Sequence, residues 1–222
     1  MMSLKGTFML KTKKIATAAA SMLIATIAMS QEINGIQYNS IDIGYGSASL
    51  ESGSGSSKIV MDRMKGSGAS GTYRVDNVLI GAGYQFAKSD GLTIGTTYYS
   101  ATTELKLTTI GLGYRFGISP GFDLVPSLSH TSQKVTLKRS GAADSNTDAS
   151  ANTVGLTAYN KLTETLQSNV GFSRNSAEEN TISAGLLFKF NKNWGVRGSY
   201  GQTSGSDNLK LKQTIVGVSY LY

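Results

Sequence analysis

The feature that most constrains this chain is a two-residue period that recurs along most of its length. Val78, Ile80, Ala82, Tyr84 and Phe86 alternate with Asn77, Leu79, Gly81, Gly83 and Gln85; Ile110, Leu112, Tyr114 and Phe116 alternate with Thr109, Gly111, Gly113 and Arg115. The same rhythm occupies residues 41–45, 92–98, 122–128, 154–158, 166–172, 182–190, 194–200 and 216–222. Side chains of a strand point alternately to opposite faces, whereas a helix repeats every 3.6 residues. The chain is therefore read as all-β, with one apolar and one non-apolar face on each strand.

A soluble sandwich alternates too, with its apolar face turned inward. Two details argue against it. The non-apolar positions are mostly Gly, Ser and Thr, which suit a crowded interior; a solvated sheet face usually carries long charged side chains. Aromatic residues also gather at the ends of the runs, as at Tyr84 and Phe86, Tyr114 and Phe116, Phe122, Phe188 and Phe190, Trp194, and Tyr220 and Tyr222. Rings in that position form the girdles of a barrel that crosses a membrane. The expected architecture is a closed antiparallel transmembrane β-barrel.

The N-terminus fits export. Lys5, Lys11, Lys13 and Lys14 precede an uncharged apolar run, Ile15 to Ala28, and Ala28-Met29-Ser30 offers small residues for cleavage. Residues 1–30 are read as a cleaved signal peptide and 31–222 as the barrel domain. Removing those four lysines leaves 17 basic and 14 acidic residues, a net of +3 where the full chain reads +7. No nucleic-acid partner is expected from so small an excess. The chain has no cysteine and one histidine, His130, which excludes thiol-ligated and multi-histidine metal sites. No cofactor is expected.

Connection lengths suggest a topology. Residues 87–91, 117–121, 160–165 and 191–193 read as short turns, and 51–71 and 133–150 as long polar loops on the opposite side. Ten strands follow, with both chain ends on the side of the short turns. Residues 58–65 read either as a loop extension or as part of a longer hairpin, which leaves eight strands as the alternative.

Four segments carry a family resemblance: Gly81-Ala82-Gly83-Tyr84-Gln85-Phe86, Gly111-Leu112-Gly113-Tyr114-Arg115-Phe116, Ser119-Pro120-Gly121-Phe122-Asp123-Leu124, and Gly217-Val218-Ser219-Tyr220-Leu221-Tyr222. On these the chain resembles the small outer-membrane β-barrels of Gram-negative bacteria, porin-like and opacity-like, over about residues 38–222. The resemblance implies an outer-membrane location. It also implies that Gly217, Tyr220 and Tyr222 form the terminal signal read by the barrel-assembly machinery; Ile215 departs from that signal, where a polar residue is usual.

Three constellations are candidates for function. By parity Asp42, Arg115, Lys189 and Arg197 face the lumen. They form either a weakly anion-favouring constriction or a salt-bridge network that plugs it. The plug is favoured, because eight strands enclose a lumen just filled by side chains and ten leave little more room. Lys58, Arg63, Lys65, Lys134, Lys138 and Arg139 occupy the two long loops, with Lys210 and Lys212 near the last hairpin. They would meet lipopolysaccharide phosphates by charge-assisted contacts; the alternative is a solvated rim. Thirdly, His130-Thr131-Ser132 has the His–Ser spacing of a lipid-active hydrolase, but no acid follows before Asp144. The reading is therefore a non-enzymatic barrel with a structural and surface-interaction role, its partners being outer-membrane lipid, lipopolysaccharide or external ligands at the loops. A narrow passive channel is the alternative and a hydrolase the remote one.

Overall fold

The computed structural model describes residues 35–139, 143–206 and 208–222. The export segment expected over 1–30 lies outside the described residues. The strands are β1 (Ser40–Ser52), β2 (Ile59–Val75), β3 (Val78–Ser89), β4 (Leu92–Ile94), β5 (Thr97–Tyr99), β6 (Ala101–Tyr114), β7 (Phe116–Ser119), β8 (Phe122–Arg139), β9 (Ser145–Lys161), β10 (Leu166–Asn175), β11 (Asn180–Lys189), β12 (Trp194–Gly205) and β13 (Leu209–Leu221). All pairings are antiparallel. The order β1-β13-β12-β11-β10-β9-β8-β6-β3-β2 returns to β1 through a direct β1–β2 pairing, so ten strands close into a barrel. Closure leaves no sheet edge with unpaired backbone groups, which a membrane would not tolerate.

The apolar residues of the alternation point outward. Ile43, Ile110 and Ile182 are 60–65% exposed, while Thr109, Thr131, Thr181 and Thr203 are buried in the lumen. There the threonines hydrogen-bond across strands, Thr109 to Thr131 at 2.8 Å and Thr181 to Thr203 at 2.7 Å. A sandwich would have the reverse arrangement. Trp194 and Tyr220, with ring centroids 5.0 Å apart, and Tyr114 and Phe116, at 4.9 Å, belong to the aromatic rim at the end where the chain terminates.

The strand number agrees with expectation, but two of its members differ. Residues 59–75 are strand β2, although 51–71 is expected as a loop. Residues 92–98, expected as a membrane strand, are the small β4–β5 hairpin in the β3–β6 connection. The short turn expected at 87–91 is therefore at the opposite end of the barrel, and the turn beside β3 is Asp76-Asn77, where Asp76 takes the left-handed conformation, φ 54°. β2 escaped detection because its outward residues in the middle are Ser67, Ala69 and Gly71, with no large apolar side chain to mark the period. Residues 133–150, also expected as a loop, are mainly the long ends of β8 and β9, paired from Gln133↔Ala149 to Leu137↔Ser145.

One proline interrupts the wall. Pro126 in β8 has no N–H to give, and it lies where β6 stops at Tyr114 and β7 begins at Phe116. Arg115, in the gap, donates its backbone N–H to Asn77 O instead, at 2.8 Å, and its side chain turns into the lumen.

Candidate functional site: a filled lumen and a one-sided basic band

The lumen divides into two halves of different chemistry. At the end where β1 begins and β13 finishes (the turn end) it is polar and charged. Arg115 reaches Asp123 through two nearly parallel bonds, Nε to Oδ2 at 2.5 Å and Nη2 to Oδ1 at 2.8 Å. Asp123 is fully buried and Arg115 is 7% exposed. Tyr38 donates its hydroxyl to the same carboxylate. A second group joins Asp42 to Ser40 at 2.7 Å, to the Ser219 hydroxyl, and to Arg197 Nε at 3.3 Å. The four side chains expected inside, Asp42, Arg115, Lys189 and Arg197, all face inward. Their partner Asp123, which the alternation places on the non-apolar face, and the buried Arg74, which belongs to none of the runs, complete the group.

The segment that joins this network in filling the lumen has no signal in the alternation. Residues 36–39, before β1, fold back into this end of the barrel. Ile36 and Tyr38 are fully buried against Leu79, Val125 and Tyr159, and the Tyr38 ring meets Tyr159 edge-on at 5.6 Å. Gln37 N–H donates to Gln167 Oε1 at 3.0 Å, and Arg74 N–H to Asn39 Oδ1 at 2.8 Å. No periodicity marks so short a segment.

Toward the opposite (loop) end the phase of the alternation inverts. On β6, Ile110, Leu112 and Tyr114 point out, but Leu105 and Leu107 point in. On β8, Leu128 points out and Val135 and Leu137 point in; on β13, Val216 and Val218 point out and Leu209 and Leu211 point in. The inversion marks where the outer surface leaves lipid and meets water: beyond that level the barrel follows the inside-apolar rule of a soluble protein. A β-bulge assists on β2. The β1–β2 register shifts between Ala48 and Leu50, Arg63 takes φ 57°, and both Met61 and Met64 consequently face inward. This phase shift was visible in the sequence and is the signal that could have located the boundary.

Just above it, the outward positions carry a basic band. Cross-strand pairing places Lys65 opposite Lys88, Lys88 opposite Glu104, and Lys106 opposite Lys134. Lys138 pairs with Glu104 at 2.7 Å, Lys88 with Asp90 at 3.1 Å and Lys58 with Glu51 at 3.0 Å. Among the described residues Arg63, Lys65, Lys106, Lys134, Lys210 and Lys212 make no ion pair. The band runs over β13, β1, β2, β3, β6 and β8, one side of the barrel. Of the expected loop patch, Lys58 is in the β1–β2 connection, Arg63 and Lys65 are on β2, and Lys134 and Lys138 on β8. Arg139 contributes a backbone position opposite Ala101, its side chain lying outside the described residues. Lys88 and Lys106 are additions to that patch: Lys88 falls in the expected short turn 87–91, and Lys106 in the connection before the expected strand at 109–116. In the β9–β10 turn, by contrast, Lys161 hydrogen-bonds Glu164 at 2.7 Å and holds that carboxyl below the usual carboxylate range.

His130 and Ser132 are on the outer wall at the same boundary, and His130 Nδ1 lies 2.8 Å from Asn152 Oδ1. The position a triad would give to a carboxylate is thus held by an amide.

The family model for the outer membrane protein beta-barrel domain matches residues 15–221. No curated protein matches the sequence. Among solved structures, the translocator domain of the autotransporter NalP from Neisseria meningitidis gives a TM-score of 0.54 at 12% identity, covering 92% of this chain and 94% of that one. The transport unit of the autotransporter AIDA-I from Escherichia coli gives 0.51 at 11% identity, covering 92% and 98%. Ail, the attachment invasion locus protein of Yersinia pestis, is 17% identical with a TM-score of 0.43, covering 83% and 97%. At these identities the likeness concerns the fold alone.

Proposed function

The chain belongs to the outer membrane protein β-barrel domain family, and on that premise we propose that it is a surface-interaction barrel whose basic band holds lipopolysaccharide phosphates. Its location is the bacterial outer membrane. One observation carries the reading. Lys106 and Lys134 are directly opposed across β6 and β8, both exposed, with no ion pair among the described residues. Like charges in that relation destabilise a sheet, and a phosphate between them removes the repulsion and adds charge-assisted hydrogen bonds. An open groove lined by Tyr84, Lys106, Ser132, Lys134, Asp148 and Ser150 lies at this height, with Asp148 of β9 opposite Lys134, so that Lys106 is the lysine of the pair without a facing carboxylate.

The test compares folded wild-type protein with the K106Q/K134Q double variant in bilayers containing lipopolysaccharide. The wild type is expected to be stabilised by lipopolysaccharide and to retain it through purification. The variant is expected to lose about 1–3 kcal/mol of that stabilisation while folding equally well in phosphatidylcholine. Equal retention by both proteins would refute the assignment.

The passive-channel reading is less favoured. Residues 36–39 and the Arg115–Asp123 pair fill the turn end, and the voids beside Arg197, Leu79 and Met64 are each small. Residues 31–222 refolded in a planar bilayer are expected to be electrically silent; discrete, reproducible steps sensitive to Arg197→Ala would restore the channel.

A further inference from the structure

One stretch of the barrel wall above the membrane level lacks a neighbour. β9 pairs with β8 from Ser145 to Asn160, but with β10 only from Thr153 to Lys161. β10 ends at Asn175, and Ser176 closes the ladder: it donates its N–H to Asn152 O at 2.8 Å and accepts the Asn152 N–H on its hydroxyl at 3.3 Å. Asn152 faces His130, at the boundary level. Residues 145–151 are therefore a free strand edge that begins where the lipid ends, above the β10–β11 turn. An open edge is not tolerated in lipid; in water it persists as a template for another strand.

The backbone groups on offer follow from the period of two. Asn152 turns both its N–H and its C=O away from β8, so Asn146, Asp148 and Ser150 do the same. All three are exposed, and no described residue pairs with their backbone on that side. The usual protections of an edge are missing from 145–151, which has no proline, no lysine and no register shift against β8. Ser145, Ala149, Ser150 and Ala151 are too small to screen the backbone from a partner.

We propose that this edge receives an extended segment of another protein outside the cell, added antiparallel to β9 in the place that β10 vacates. The side chains of the edge define its chemistry. Thr147, Ala149 and Ala151 face inward, and Ala149 packs against the apolar cluster that includes Val135 and Leu211, so the residues meeting them are apolar. Asn146, Asp148 and Ser150 face water. Asp148 has Lys134 on one flank and no described residue paired on the other, so the residue that meets it is Lys or Arg, an opposite-charge pair across strands. The partner is thus a strand of about seven residues, apolar and polar by turns, with a basic residue at its middle. A second copy of this chain fits poorly. Two barrels in one membrane stand the same way up, so their β9 edges would run in the same direction and bring Asp148 toward Asp148.

The experiment uses the protein folded in phosphatidylcholine nanodiscs free of lipopolysaccharide, so its outcome does not depend on the phosphate site. The probe is the peptide Val-Thr-Val-Lys-Val-Thr-Val-amide with a fluorophore at its N-terminus, followed by anisotropy against empty nanodiscs. Saturable binding is expected, with slowed hydrogen exchange at the Asn146, Asp148 and Ser150 amides. Methylating the backbone nitrogen of the peptide lysine, whose N–H points at β9, is expected to weaken binding by about tenfold. Methylating that of the following valine, whose N–H points away, is expected to have little effect. Ser150→Pro, verified as folded by heat-dependent gel mobility, removes an N–H from the free edge without touching the β8 ladder, and is expected to weaken binding by about tenfold. The proposal is overturned if the wild type shows no saturable binding, if the two methylated peptides bind alike, or if Ser150→Pro binds as the wild type does. It also fails if the three amides are already protected without peptide in a protein that runs as a dimer, which would give the edge to a second copy.

Discussion

Replacing Asp123 by alanine is expected to destabilise the folded barrel by about 3–5 kcal/mol, one of the two largest effects of any single change considered. Asp123 is fully buried and accepts both bonds of the Arg115 fork as well as the Tyr38 hydroxyl. Its removal leaves the Arg115 guanidinium without a counter-ion, with only the Asn77 amide oxygen at 3.5 Å, and the Tyr38 phenol without its acceptor, and a buried charge deprived of its counter-ion is far more unfavourable than the intact pair is favourable. The measurement is urea unfolding of residues 31–222 refolded into lipid, followed by heat-dependent gel mobility. A second arm separates charge from packing: Arg115→Met combined with Asp123→Leu is expected to recover most of the loss, since no charge remains unpaired. If Asp123→Ala unfolds within about 1 kcal/mol of wild type, the turn-end network is not the plug described above.

The second large effect is at Gly217. A Cβ placed there would come within 2.5 Å of Ile43 O and 2.9 Å of Gly44 Cα. Both are backbone atoms of β1, the strand that closes the barrel against β13 through Gly44↔Gly217. A rotamer change cannot relieve such a clash, so Gly217→Val is expected to cost about 3 kcal/mol, the upper part of the range for overpacking, and to impair closure in vitro. Ile215 fits the same account. Its side chain occupies the space left by Gly44 and Gly46, which explains an apolar residue where the terminal pattern usually has a polar one. Deleting Tyr222 is the instructive contrast. Tyr222 donates its N–H to Asn39 O at 3.3 Å and its ring stacks beside Tyr220, contacts at the very end of a strand. The truncated chain is expected to refold in lipid nearly as well as wild type but to reach low outer-membrane levels in cells, as the loss of an assembly signal would require. Poor refolding in vitro would instead make Tyr222 a structural residue; normal levels in cells would remove it from the signal.

Much of the candidate site was legible before any coordinates, but unevenly. Parity alone placed Asp42, Arg115, Lys189 and Arg197 in the lumen, because facing is a property of each strand taken by itself. Lys134 and Lys138 are legible at the correct end, and Lys88, in the expected turn 87–91, is not. The difference begins at β2, whose small outward residues hide it; reading residues 51–71 as a loop reverses the strand at 77–86. Tyr84 and Phe86 are accordingly an aromatic rim at the loop end, although they had been assigned to the turn end. The count of ten survived because the missed strand β2 was balanced by the β4–β5 hairpin mistaken for one.

By itself the sequence determined the class of structure, the direction in which each strand's apolar face looks, and the kind of environment that face must meet. These follow from a period of two read locally, together with Gly, Ser and Thr in place of long charged side chains. Only the tertiary structure decided what depends on register and depth. It set which lysines adjoin across β6 and β8, that Asp123 completes the Arg115 fork, and that residues 36–39 enter the barrel. The physical reason is that alternation carries facing but no height. Sliding a strand by two residues preserves every inward and outward assignment while changing every neighbour, and the final register is selected by cross-strand packing between segments distant in the chain.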